Sequence, residues 1–140
     1  MNPYASQASL ECEVLQADPV GLIQLLYRGA LESIRGARES LARNDQAERS
    51  RHISRAGAIL AELMMSVSRE QGGELAANLI ELYDYVLHLV TQAHIEQRDE
   101  PLAEAGRLLQ TLLEGWNAIA GQQTQLAAGA EPLLATTGYY

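Results

Sequence analysis

His52, His88 and His94 are the side chains with which this chain could hold a metal ion or relay a proton, so their neighbours come first. Di-metal sites between helices need Glu-x-x-His pairs, because residues three apart project from one helix face. Three places before these histidines stand Arg49, Tyr85 and Thr91, so the motif is missing. Asp84 and His88 lie one turn apart with Glu81 nearby, which makes a polar surface cluster rather than a metal cage. Cys12 has no histidine at helical spacing to draw off its proton and lacks the activation a nucleophile needs. A lone cysteine also excludes an intrachain disulfide and fits a reducing compartment. No Lys follows Gly72-Gly73 and no strand precedes it, so it punctuates helices rather than cradling phosphate. The chain is not expected to be an enzyme, nor to carry a metal or cofactor.

The elements that must position these residues are helices. Asp18 suits an N-cap, and Pro19 suits the first helical position, where its missing N–H costs nothing. Ile23, Leu26, Ala30, Ile34, Ala37 and Leu41 then recur at spacings of three and four, as far as about Asn44. A second helix from about Asp45 carries Ile53, Ala56, Leu60, Leu63 and Val67. A third, over about 74–97, carries Leu75, Leu79, Leu82, Val86, Leu89 and Ala93. Asp99-Glu100-Pro101 breaks the chain and opens a fourth, with Leu102, Ala105, Leu109, Leu112, Trp116 and Ile119. Four helices of similar length with short connections predict an all-α, antiparallel up-down-up-down four-helix bundle over residues 18–120. Residues 1–17 form a short N-terminal segment. Residues 121–140, rich in Gln, Ala, Thr and Gly, are expected to be a flexible tail.

At 140 residues the chain is long enough for one real core. It has six Tyr, one Trp and no Phe, so aliphatic side chains must fill the interior. A net charge of −8 argues against nucleic acid as a ligand. The charge is uneven: residues 18–69 carry eight Arg against six acids, and residues 70–120 carry two Arg against nine acids. The first residues lack a basic start and a long apolar run, and no stretch approaches the roughly 20 apolar residues of a membrane span. A cytoplasmic protein without membrane insertion is expected.

Two features exceed what a simple bundle needs. On helix three the apolar residues fill an arc of about 180°, against about 100° for an ordinary amphipathic helix. Ile80, Tyr83 and Leu87 form its excess flank. Tyr85 lies outside the arc beside Asn78, about 200° from Tyr83. On helix one, Leu22, Leu25, Gly29, Ser33, Gly36 and Ser40 form a second stripe. Each glycine there costs about 1 kcal/mol relative to Ala, so close approach of another backbone is expected. Helix two has its own small-residue stripe, Ser54, Gly57, Ala61 and Ser68, with Met65 adjoining. At least one stripe is expected to receive a foreign helix. On that expectation, Gly29→Leu or Gly36→Leu would leave the bundle folded and weaken partner binding.

The segments ADPVGLIQLLYRGAL (17–31) and GGELAANLIELYDYV (72–86), with Trp116 late in the last helix, resemble the flagellar secretion chaperone FliS family. The resemblance covers roughly residues 4–120. It implies a non-enzymatic cytoplasmic chaperone of flagellar export that binds the disordered C-terminal region of flagellin and prevents premature polymerisation. In such proteins the client wraps the outside of an antiparallel bundle, and a Tyr-bearing N-terminal segment, matched here by Tyr4, covers part of the surface. The resemblance points to Leu22, Leu25, Leu26 and Tyr27 on helix one and to Leu75, Asn78, Leu79, Leu82, Tyr83 and Tyr85 on helix three. The stripe adds Gly29, Ser33 and Gly36. Other flagellar export or regulatory proteins are further candidate partners. Monomer and homodimer are both compatible, and a self-associating structural bundle is the alternative function.

Overall fold

The computed structural model describes residues 19–70 and 73–137, with residues 68–70 and 123–137 described by their backbone alone. Four helices follow one another: α1 (Pro19–Ala42), α2 (Gln46–Glu70), α3 (Gly73–Glu96) and α4 (Glu100–Thr137). Each packs on the next and α4 closes back on α1, which makes the antiparallel bundle predicted above. The Asp18 cap and the N-terminal segment lie outside the described residues. Helix α4 continues past residue 120, where the sequence pattern predicts its end, to Thr137. Gln, Ala and Leu dominate that stretch and are strong helix formers even without an apolar period.

The helix ends have local causes. Asn44 at φ 57° and Gln97 at φ 54° take the left-handed conformation that closes a helix. The amide N–H groups of Asp45 and Arg98 then donate to the carbonyls of Ser40 and Ala93, at 2.9 and 3.1 Å. Asp45 Oδ1 accepts from the Glu48 amide at 3.1 Å and so caps α2. The turn before α4 is held by Arg38, whose guanidinium makes a two-pronged contact with Asp99 at 2.8 and 2.9 Å.

The core lies along the bundle axis: Ile34 and Ala37 from α1, Leu60 and Leu63 from α2, Val86 and Val90 from α3, Leu102 and Leu109 from α4. With no Phe available, Tyr27 and Tyr83 supply the largest fully buried side chains. Their rings meet edge to face with centroids 6.1 Å apart, and their hydroxyls share a hydrogen bond of 2.7 Å. That bond removes the penalty of an unpaired buried hydroxyl. Burial pushes both phenols above their ordinary range, and the shared bond pushes Tyr83 further up. One buried cation also sits in the bundle: Arg49 Nε donates to His94 Nδ1 at 3.2 Å, tying α2 to α3.

The small-residue stripe of α1 turns toward α2. A Cβ on Gly29 would lie 3.1 Å from Ile59 Cδ1, and one on Gly36 would lie 2.4 to 2.6 Å from the His52 ring. Ser33 donates to the Gly29 carbonyl at 2.9 Å and accepts from Arg55 Nη1 at 2.9 Å. Ser40 donates to the Gly36 carbonyl at 2.8 Å. The close approach expected from the glycines is therefore made by the chain's own second helix, and the idea of a foreign helix in this stripe is corrected. So is its corollary: a leucine at Gly29 or Gly36 would collide with α2 rather than leave the bundle intact.

Candidate interaction surface

Periodicity places the residues of α3 around a wheel whose inward centre runs through Tyr83, Val86 and Val90, all fully buried. Leu79, Leu82, Ile80 and Leu87 sit half-buried beside that centre. Asn78 and Tyr85 lie on the flank that turns to α4, and both are exposed. The link across is explicit: the Tyr85 hydroxyl donates to Glu104 Oε2 at 2.5 Å. That bond raises the Tyr85 phenol above its ordinary value, since the carboxylate favours the protonated form. The two tyrosines that one stripe could not hold thus divide between the core and an outer edge.

Antiparallel packing fixes what stands opposite the rest of this flank. Ten residues back from Tyr85 is Leu75, and ten forward from Glu104 is Glu114, so Leu75 stands near the height of Leu112 and Trp116. Leu108, Leu112 and Ile119 share the Glu104 side of α4 by helical spacing. Leu75 is 60% exposed, Tyr85 46% and Ile119 41%. Together with half-buried Leu82, Leu108 and Leu112 they form an apolar strip along the α3–α4 junction. Leu75 and Ile119, both expected in core seams, are corrected to surface positions. Each lies toward the end of the bundle that carries the α2–α3 connection, where fewer of the described residues cover it.

The other candidates separate cleanly. Tyr27, Ser33 and Tyr83 are fully buried and cannot meet a partner on the outer surface of this fold. Gly29 and Gly36 are occupied by α2. Leu22 and Leu25 are half-buried near the start of α1, and Leu26 packs against the core. Tyr4 lies outside the described residues. A second open region appears on α2, where Ser54, Ala61 and Met65 are exposed and a Cβ on Gly57 would lie 3.7 Å from Leu87 Cδ1 of α3. Sequence reasoning missed the contribution of Leu108, Leu112 and Ile119 to a surface; Leu112 and Ile119 fit the inward seam by spacing, and Leu108 fell outside it.

A rim of acids borders the α3–α4 strip. Glu74, Glu81 and Tyr85 share a flank of α3 by helical spacing, and Glu104 faces them from α4. Among the described residues no three His, Cys, Asp or Glu side chains gather as a metal-binding group, and no helix is long and apolar enough to cross a membrane. The Asp84–His88 pair is an exposed contact within one turn, 3.5 Å from Oδ2 to Nδ1.

Comparison with known proteins bears on what such a strip serves. The model of the family described as "Flagellar protein FliS" matches residues 1–123. The flagellar secretion chaperone FliSB of Pseudomonas aeruginosa is 36% identical over 114 residues, 81% of this chain and 90% of that protein. The flagellar secretion chaperone FliS of Salmonella typhimurium is 34% identical over 116 residues, 82% of this chain and 86% of its own length. That of Bacillus subtilis is 30% identical over 115 residues, covering 82% and 84%.

Proposed function

The chain belongs to the FliS family of flagellar secretion chaperones, and from that premise we propose that it binds the disordered C-terminal segment of flagellin in the cytoplasm before export. The observation that carries this reading is the exposed strip of Leu75, Tyr85 and Ile119 on a bundle whose core is otherwise closed. A disordered client must offset its own ordering cost as it binds, so it needs a long apolar contact, and a strip along two helices offers one. The client would lay the apolar face of an amphipathic helix into the strip, in the manner of a helix in a groove. That face is the one flagellin needs for its filament neighbours, so covering it prevents premature polymerisation. The chain acts by binding and not by catalysis.

The test is calorimetric titration of the full chain with the C-terminal segment of flagellin, with hydrogen exchange to locate protection. The expected result is one-to-one binding with protection on α3 and α4. A chain that forms a tight dimer and ignores the segment would overturn the proposal in favour of a self-associating structural bundle.

A further inference from the structure

We propose that the trough between α1 and α4 is a second docking surface, and that its occupant is an acidic amphipathic helix of another protein. The trough has a volume of about 530 Å³; half-buried Leu31, Ala103 and Gly106 floor it above the core residue Ile34, and Gln110 and Thr111 line it as well. Its walls carry Arg35 and Arg38 from α1 and Arg107 from α4. Arg38 is held by Asp99. Arg35 and Arg107 are exposed, and among the described residues neither guanidinium makes an ion pair or a hydrogen bond. On a chain of net charge −8, two unpaired guanidinium groups on opposite walls of one trough run against the overall balance.

The floor decides what kind of anion fits. A small ion would satisfy the arginines and leave half-buried Leu31 and Ala103 uncovered. A nucleic acid would meet only a few cations and an otherwise acidic surface. An amphipathic helix brings apolar side chains to the floor, with carboxylates three and four residues away reaching either wall. Arginine suits that role, since its planar fork grips a carboxylate with two parallel bonds. Gly106 keeps the floor open. A Cβ there would lie 3.8 Å from Ile34 Cγ2, in ordinary contact, and any larger side chain would fill the space above it.

This surface lies on the flank of α4 opposite the strip proposed for flagellin, so the two ligands do not compete. The test uses the full chain, isotopically labelled, and a synthetic helix of about 20 residues, roughly 30 Å long, with leucines on one face and glutamates on both flanks. Its twin carries Gln for every Glu. The Glu peptide is expected to shift the amides around Leu31 and Gly106. Its binding should weaken at least about tenfold, or about 1.4 kcal/mol, in the Gln twin and in Arg35→Glu/Arg107→Glu. Gly106→Leu, which leaves the charges alone, should weaken it as well. Equal binding of the two peptides, shifts confined to Leu75 and Tyr85, no binding, or equal competition by heparin would each overturn the inference. Flagellin titrated into Arg35→Glu/Arg107→Glu should bind as to the unmodified chain. Loss there would make the trough part of the flagellin site and overturn a separate partner, whereas failure of flagellin to bind the unmodified chain would sink the proposed function alone.

Discussion

Leu75→Gln should separate binding from folding, and the structure sets the size of each effect. The side chain is 60% exposed, so it contributes little to the bundle. Glutamine keeps the size and most of the helix propensity of leucine, and the change in unfolding free energy should stay within about 0.5 kcal/mol. In the complex, a partner helix that covers the exposed part gains roughly that fraction of the 1.5–3 kcal/mol of full leucine burial, roughly 1–2 kcal/mol. Losing it raises Kd for the flagellin segment about 5- to 30-fold. Calorimetry supplies the Kd, and urea unfolding followed by circular dichroism supplies the stability. Leu109→Ala is the control: Leu109 is fully buried, and removing its side chain should cost about 2–5 kcal/mol of stability. If Leu75→Gln binds the segment within twofold of the unmodified chain, the α3–α4 strip is not where flagellin lands.

Three further outcomes follow from the interior. Tyr27→Phe and Tyr83→Phe should each lower the urea midpoint, at about 1–3 kcal/mol where a buried hydroxyl is orphaned, while the double variant costs less than their sum. The larger single effect belongs to Tyr27→Phe, because Tyr27 has Trp116 as a second polar neighbour and Tyr83 keeps no other partner; additive costs would refute the pairing. Gly36→Leu should destabilise by about 1–3 kcal/mol through its clash with His52, whereas Gly115→Ala, with nothing within 4 Å of its added carbon, should stabilise by about 0.5–1 kcal/mol. Both buried phenols have raised pKa values, so their contribution is complete below the unfolded value near 10 and is lost as pH rises above it. The urea midpoint should therefore drop above about pH 10, and Tyr27→Phe/Tyr83→Phe should flatten that drop.

Periodicity showed which face of each helix turns inward, and it could not show which neighbour that face meets. Ile34, Leu60, Val86 and Leu109 recur at helical spacing and are buried as that spacing requires. Gly29 and Gly36 signal a close approach just as plainly, yet an approaching helix of this chain and one of another leave the same trace. The Tyr27–Tyr83 bond joins residues 56 apart in sequence, and no local pattern marks it. Tyrosine suits a surface as well as a core, so the family resemblance alone counts both among candidate partner contacts. Leu75 and Ile119 fit inward seams by spacing. A helix wheel has no height, however, and their exposure depends on how far the neighbouring helices extend at that end.

Height and flank together make α4 the helix on which partner choice turns. One side of it, with α3, presents Leu108, Leu112 and Ile119 beside Tyr85, within a rim of Glu74, Glu81 and Glu104. The other side, with α1, presents Leu31, Ala103 and Gly106 between Arg35 and Arg107. Both have apolar surface that could take an amphipathic helix, and burial alone would not tell their ligands apart. Charge does. Like charges brought together in an interface cost several kcal/mol, so an acidic helix is turned away from the α3–α4 rim and drawn to the arginines. A helix with basic or neutral flanks has the reverse preference. The two surfaces thus differ in the charges beside them, Arg35, Arg38 and Arg107 along the α1–α4 trough and Glu74, Glu81 and Glu104 along the α3–α4 strip. Discrimination of this kind weakens with salt, as screening shortens the reach of exposed charges, while the apolar part of each contact persists. Each surface should accordingly lose specificity before it loses affinity as ionic strength rises.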